Sequence, residues 1–190
     1  MMKIGIAITG ASGAVYAREL LNTLMEINFP AENVSLVFSG NAKFVWETEL
    51  GDSGYSQYPF PVFDRNDFTA PMASGSGGCQ ALIVCPCSMG TLGRIAGGIS
   101  NDLITRAADV MLKERNRLIL ITRETPLNLI HIKNMETITL AGGIILPASP
   151  SFYSKPADFS QLARTITNRA LNLVGIKTNG FSWGASQNPA

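Results

Sequence analysis

The chain has 190 residues, of which 46% are hydrophobic and 15% charged, with 18 Gly and 10 Pro. That length suits one compact domain with a sizeable core, and high apolar content at near-zero net charge excludes a disordered chain. Fifteen basic residues against fourteen acidic ones leave a formal net charge of +1, so no basic field exists to hold a nucleic acid.

Taken in chain order, the pattern alternates short apolar runs with helical periodicity. Lys3 to Thr9 reads as a buried strand and Val15 to Ile27 as a helix. The glycine turn between them, Gly10-Ala11-Ser12-Gly13, breaks the apolar start and leads into helix rather than a cleavage site, so a signal peptide is excluded. Val34 to Phe38 is the second strand, with Asn41 to Leu50 as its helix. A long irregular insert, rich in Gly, Pro, Ser and aromatic residues, spans Gly51 to Gly78. Ala81 to Cys85 is the third strand, followed by helices over Met89 to Ala96 and Asp102 to Glu114. Arg117 to Thr122 is the fourth strand and Gly143 to Leu146 the fifth; a last helix covers Asp158 to Val174. Strands that read as continuous apolar runs are buried on both faces. The expectation is a three-layer, doubly wound parallel sheet of the Rossmann or flavodoxin kind, one α/β domain over 1–175 with a polar tail over 176–190. No apolar run reaches the roughly 18 residues of a membrane helix, which points to a soluble, cytoplasmic protein with no membrane partner.

Cysteine and histidine bound the chemistry. Cys79, Cys85 and Cys87 contain a C-P-C rather than a C-x-x-C, and read as small buried hydrophobes in a reducing compartment. His131 is the only histidine, so neither a metal site nor a histidine-based triad has material to form from.

In such a sheet, ligands bind beyond the carboxyl ends of the strands. After the first strand, Thr9 to Gly13 offers backbone amides and a helix N-terminus to an anion, but it is neither G-x-G-x-x-G nor a P-loop. The second strand ends in Ser39-Gly40, a hydroxyl where a dinucleotide fold would place an acid for the ribose diol, which favours a mononucleotide. The third ends in Pro86-Cys87-Ser88-Met89-Gly90-Thr91 at a second helix N-terminus, so two anion cradles lie on adjacent strands. The fourth runs into Arg123-Glu124, where the arginine needs an anion, either one supplied by a ligand or the neighbouring Glu124. Arg106 and Lys113 follow Asp102 and Asp109 by four residues, the spacing of ordinary helical ion pairs. On the last helix Phe159, Leu162, Ala163, Ile166, Ala170, Leu173 and Val174 form one apolar stripe. Arg169 falls at its edge and is a candidate anion ligand; Arg164 points to solvent. Tyr153 and Lys155 lie in the loop before that helix.

Several motifs in order carry a resemblance: Thr9 to Gly13, Ser39, Met72 to Gly75, Pro86 to Thr91, Asn101 to Asp109, Arg123 to Pro126, Asn134-Met135, Phe152-Tyr153 and Trp183-Gly184. Over nearly its whole length the chain resembles the UbiX-type flavin prenyltransferases, Rossmann-like homo-oligomeric flavoproteins once described as aromatic-acid decarboxylases. The resemblance implies that a dimethylallyl group passes from dimethylallyl phosphate, or its diphosphate, to reduced FMN, and that the prenylated FMN goes to a UbiD-type decarboxylase. It implies FMN binding by Gly10, Ala11, Ser12, Ser39, Ser88, Met89, Gly90, Thr91 and Arg123. Tyr153 and Arg169 would hold the prenyl phosphate, with Arg106, Lys113 and Glu124 nearby. Ser12 and Glu49 would handle protons, with Lys113 and Glu124 as further catalytic groups. Trp183 would reach the site from a neighbouring subunit of a large assembly, a dodecamer by resemblance. Two positions depart from the pattern: Ser182 stands where some relatives have Arg, and Gly40-Asn41 where many have Lys-Ala.

The residues agree with that chemistry. Magnesium-dependent prenyl transfer needs clustered carboxylates, of which this chain has none suited, whereas cationic donors can hold a departing phosphate without a metal. The flavin N5 would attack, an adjacent ring carbon would close the new ring, and Glu49 or the released phosphate would take the proton. Two rivals stand beside this reading. A flavin-dependent cysteine decarboxylase needs an active-site histidine, for which only His131 is available. A non-catalytic FMN carrier needs no second phosphate site, so Tyr153 and Arg169 discriminate against it.

Overall fold

A computed structural model describes residues 2–181. Six parallel strands form one sheet: β1 (Lys3–Ile8), β2 (Val34–Phe38), β3 (Val62–Phe63), β4 (Cys79–Cys87), β5 (Arg117–Thr122) and β6 (Ile144–Pro147), in the order β3-β2-β1-β4-β5-β6. Six helices join them: α1 (Ala14–Glu26), α2 (Ala42–Leu50), α3 (Met89–Ala96), α4 (Leu103–Lys113), α5 (Leu129–Leu140) and α6 (Phe159–Leu173). This is the expected doubly wound architecture. The chain winds outward from β1 to β2 and β3, then returns to β4 on the other side, so the switch point lies between β1 and β4.

The strands form because each is apolar on both faces, and the two faces build two cores. Ile4, Ile6 and Ile8 of β1 pack with α1, α2 and α6, where Leu20, Leu24, Trp46, Ile166 and Ala170 are buried. Ala7 faces the other core with Val84, Leu92, Ala107, Met111 and Leu118 under α3, α4 and α5. The insert over 51–78 is part of this packing. It contributes the two-residue edge strand β3 and buries Phe60 on one side and Met72 on the other.

Three sequence expectations change. The segment over Leu129–Leu140 is a helix that periodicity does not reveal, because Ile138 is its one buried residue, Met135 is partly buried, and Leu129, Ile130, Ile132 and Leu140 are exposed. On α6 the apolar stripe is narrower than expected. Ala163, Ile166, Ala170 and Val174 are buried, but Phe159 at the first helical position is 83% exposed. Arg164 does not point to solvent: it clamps α6 to α1, with Nε 2.7 Å from Glu19 Oε2, and Nη1 and Nη2 at 2.8 and 2.6 Å from the two Glu26 oxygens. In addition, Ile176, assigned to the tail by composition, is buried in the core beside Val174.

Candidate active site

The carboxyl ends of β1 and β4 are joined by one side chain. Thr9, 2% exposed, donates from Oγ1 to the Pro86 carbonyl at 2.6 Å and accepts from the Ser88 N–H at 2.9 Å. Beyond this link the chain opens a cavity of about 610 Å³ lined by Gly10, Ser39, Gly40, Ser88, Gly90 and Thr91, with Asn41, Arg65, Arg94 and Asp102 at its rim. Gly10 is required by close approach, since a Cβ there would stand 2.7 Å from the Asn41 Cβ. Ser88 caps α3 through the Thr91 N–H at 3.3 Å, while the first-turn amides of Met89 and Gly90 have no intrahelical acceptor. A Cβ on Gly90 would meet nothing within 4 Å. Neutral donors around open space at a helix N-terminus fit a phosphorylated mononucleotide.

The other cradle has a different occupant. Gly13, with φ +115°, starts α1, and the Glu49 carboxylate takes its N–H at 2.9 and 3.1 Å and that of Ala14 at 2.7 Å. The Gly13 and Ala14 amides are thus spent on a side chain of α2, while those of Gly10, Ala11 and Ser12 are not, and Glu49 is brought beside Ser12. Arg123 joins them, donating from Nε to the Ser12 carbonyl at 3.1 Å. Burial is the main influence that raises the Tyr16 phenol above its ordinary pKa, and Arg123 opposes it. Arg123 is not paired with Glu124, whose Oε1 instead accepts the Thr125 N–H at 3.0 Å.

A second pocket, of about 800 Å³, lies along α6 and is lined by Tyr153, Arg169 and Lys177 among others. The Ser151 N–H donates to Thr165 Oγ1 at 3.2 Å, which fastens the loop after β6 to α6 and lays Tyr153 alongside the Arg169 turn. Arg169 is exposed and has no ion-pair partner among the described residues.

Arg106 and Lys113 are elsewhere. Neither makes the i,i+4 pair that spacing suggests: Asp102 caps α4 and binds Arg94 at 2.6 Å, so Arg106 turns to Asp109 at 2.9 Å and to the Ala73 carbonyl at 3.0 Å. Lys113 pairs with Glu114 at the end of α4, next to the amino end of β5 and so at the opposite edge of the sheet. Ala11 and Met89 are buried side chains that offer a ligand only their backbone. Trp183 lies outside the described residues. His131 occupies the third position of a capping box at the start of α5, where its N–H donates to Asn128 Oδ1 at 2.9 Å. Among the described residues no three of His, Cys, Asp or Glu gather as a metal site. Arg65 and Arg94 were missed by sequence reasoning; Arg94 lies one turn into a recognised helix, and Arg65 in an insert without periodicity.

Fold and strand-end cavity together define an α/β protein built to bind a mononucleotide at its switch point. The family model described as Flavoprotein matches residues 1–171. A flavin prenyltransferase UbiX from Methanocaldococcus jannaschii is 40% identical over 187 residues, covering 96% of this chain and 99% of the relative. The chain belongs to the flavoprotein family, in its UbiX flavin prenyltransferase branch. Among solved structures, AnUbiX in complex with FMN and dimethylallyl pyrophosphate has a TM-score of 0.90 and 38% identity, covering 98% of this chain and 99% of that one. A dodecameric FMN-dependent UbiX-like decarboxylase from Escherichia coli has a TM-score of 0.89 and 34% identity, with 96% and 99% covered.

Proposed function

We propose that the protein joins a dimethylallyl group from a prenyl phosphate to reduced FMN. The observation that carries this reading is the pairing of a hydroxyl- and amide-lined cavity at the switch point with a separate cationic pocket at Tyr153 and Arg169. A flavin carrier has no use for the second, and His131, tied into a helix cap, is poorly suited to the cysteine-decarboxylase alternative.

The reduced flavin, when bound, supplies the nucleophile. Ser39, Ser88, Thr91 and the Met89 and Gly90 amides hold its phosphate end, while Gly10, Ala11 and Ser12 line its approach. Arg123, oriented by its bond to the Ser12 carbonyl, keeps both terminal nitrogens for an anion or a ring oxygen. Tyr153 and Arg169 neutralise the charge that develops on the departing phosphate. Glu49 and Ser12, adjacent at the head of α1, take up and return the proton, with Glu124 close by on the loop after β5. Lys113 takes part only from a neighbouring copy, because its own chain holds it at the far end of α4, while Arg106, bound to Asp109 and the Ala73 carbonyl, is spent on its own chain. The dodecameric relative supports such an assembly. Transfer of the product to a UbiD-type decarboxylase and a cytoplasmic setting complete the proposal. No helix among the described residues is long and apolar enough to cross a membrane, while a yeast relative is named mitochondrial.

The test is anaerobic incubation of the full chain with reduced FMN and either dimethylallyl phosphate or the diphosphate, with and without EDTA, followed by mass analysis of the flavin. A flavin heavier by one dimethylallyl unit, formed equally in EDTA, is expected. No product from either donor would refute the activity. Product that appears only with magnesium would refute the cationic account of the leaving group.

A further inference from the structure

We propose that Arg65 is the counter-cation for the flavin phosphate, and so the residue by which this protein separates FMN from the unphosphorylated flavin. The inference rests on the FMN reading and adds to it a residue that the resemblance does not contain.

The switch-point cavity presents neutral hydroxyls and amides, and two guanidinium groups reach its rim. Arg94 is already committed. Its Nη1 lies 2.6 Å from Asp102 Oδ2 and 3.1 Å from Asn101 Oδ1, and its Nη2 lies 3.4 Å from Thr91 Oγ1. Burial works against the Asp102 charge, but hydrogen bonds from Arg94 and Thr105 outweigh it and hold the carboxyl below its ordinary pKa. Arg94 and Asp102 therefore contribute no net charge to the cavity.

Arg65 differs on each count. It has no ion-pair partner among the described residues, and its Nη1 lies 3.3 Å from where a Cβ on Gly40 would stand, over the end of β2. Its backbone is fixed while its head is free. The Arg65 carbonyl accepts the Leu103 N–H at 2.7 Å, fastening the insert to the head of α4, and Asp64 next to it is occupied by the Asn66 N–H at 2.8 Å. A phosphate monoester carries about −1.5 to −2 charges at neutral pH. Without Arg65, that charge would meet only neutral donors and an arginine already neutralised by Asp102. With Arg65, the cavity gains a forked donor suited to two phosphate oxygens.

The experiment measures dissociation constants for FMN and for riboflavin on the full chain and on Arg65→Ala, Arg65→Lys and Arg65→Gln. Arg65→Ala should weaken FMN by about 10- to 100-fold, the range for one charge-assisted hydrogen-bonding group, and leave riboflavin unchanged. Arg65→Lys should recover part of the loss and Arg65→Gln little of it, with melting temperatures near wild type. Should Arg65→Ala not fold, Arg65→Gln keeps the shape and carries the comparison. An FMN-to-riboflavin ratio equal to wild type overturns the inference, as does a parallel loss of both ligands, which would make Arg65 only an anchor of the insert. A wild-type chain that binds neither flavin, or does not prefer FMN, overturns the underlying FMN reading instead.

Discussion

Glu49 and Gly13 come from different helices, yet the carboxylate of the first completes the N-terminus of the helix begun by the second, at 2.9 Å. The first turn of α1 is consequently closed to an outside anion, and the phosphate is left to the α3 end of the switch point. A carboxylate at a helix N-terminus is worth about 0.3–1 kcal/mol, a modest share of stability. Glu49→Gln should therefore lower the melting temperature by only a few degrees, while prenyl transfer falls by about 100-fold or more as a proton-transfer group is lost. Unchanged turnover in Glu49→Gln, measured as initial rate per folded molecule, would reduce Glu49 to a helix cap.

Gly90 offers a cleaner probe of the cavity. Its Cβ direction meets no atom within 4 Å, and Ala is favoured over Gly within helices by roughly 0.5–1 kcal/mol. Gly90→Ala should hold or raise the melting temperature of the flavin-free protein, and Gly90→Val should leave it close to wild type. Both should lower flavin content on purification, Val more than Ala. Full flavin loading in Gly90→Val would place the ligand elsewhere.

Arg164 and Arg169 separate stability from activity, five positions apart on α6. Arg164 is the main partner of Glu19, a carboxylate only 3% exposed, with Arg18 left as a weaker contact at 3.5 Å. Arg164→Ala should cost about 1–3 kcal/mol through that poorly paired charge, read as a lower midpoint in urea. Arg169→Ala, exposed and without an ion pair among the described residues, should leave stability within about 0.5 kcal/mol of wild type. Its FMN binding should also survive, but prenyl transfer should fall by about 100- to 1000-fold. Lys3→Ala, at the amino edge of β1, serves as a neutral control. Full activity in Arg169→Ala would remove the residue from the leaving-group site.

The cysteines should be inert. Burial raises all three thiols, Cys87 to about 12 and Cys85 further, with Cys79 also above its ordinary value. At pH 8 a thiol with a pKa near 12 is ionised in only about one molecule in ten thousand, so a disulfide reagent should find almost no thiolate to attack. Native protein should react slowly at pH 8 and release three equivalents only on unfolding. A rapid stoichiometric reaction in the native state would show that β4 opens.

The sheet was legible because β1, β2, β4 and β5 are apolar on both faces and too short for helices, with turn residues between them. Where burial is one-sided or slight, the text is silent. The helix α5 keeps a capping box at Asn128 and His131 but no stripe, and β3 is two residues long with a partner only on one side. A helical wheel sent Arg164 to solvent and set Arg169 at the edge of the stripe; the acids of α1 draw Arg164 inward, and it is Arg169 that is exposed. The strand-end turns marked the cavity. Of its charges, Arg65 depends on how an aperiodic insert folds back, and the Arg94–Asp102 pair on how α3 and α4 meet, which no spacing records.

The Thr9 link spans 77 positions, and the contact between Ser12 and Arg123 spans 111. A binding edge made from such distant pieces does not exist on a growing chain until β5 has left the ribosome. A nascent chain halted within α4 should retain no flavin, even with β1 through β4 synthesised. Contacts this remote in sequence are slow to form. Once formed, a ligand seated across them is bound by the whole sheet at once, so flavin release reports on the folding of the entire molecule.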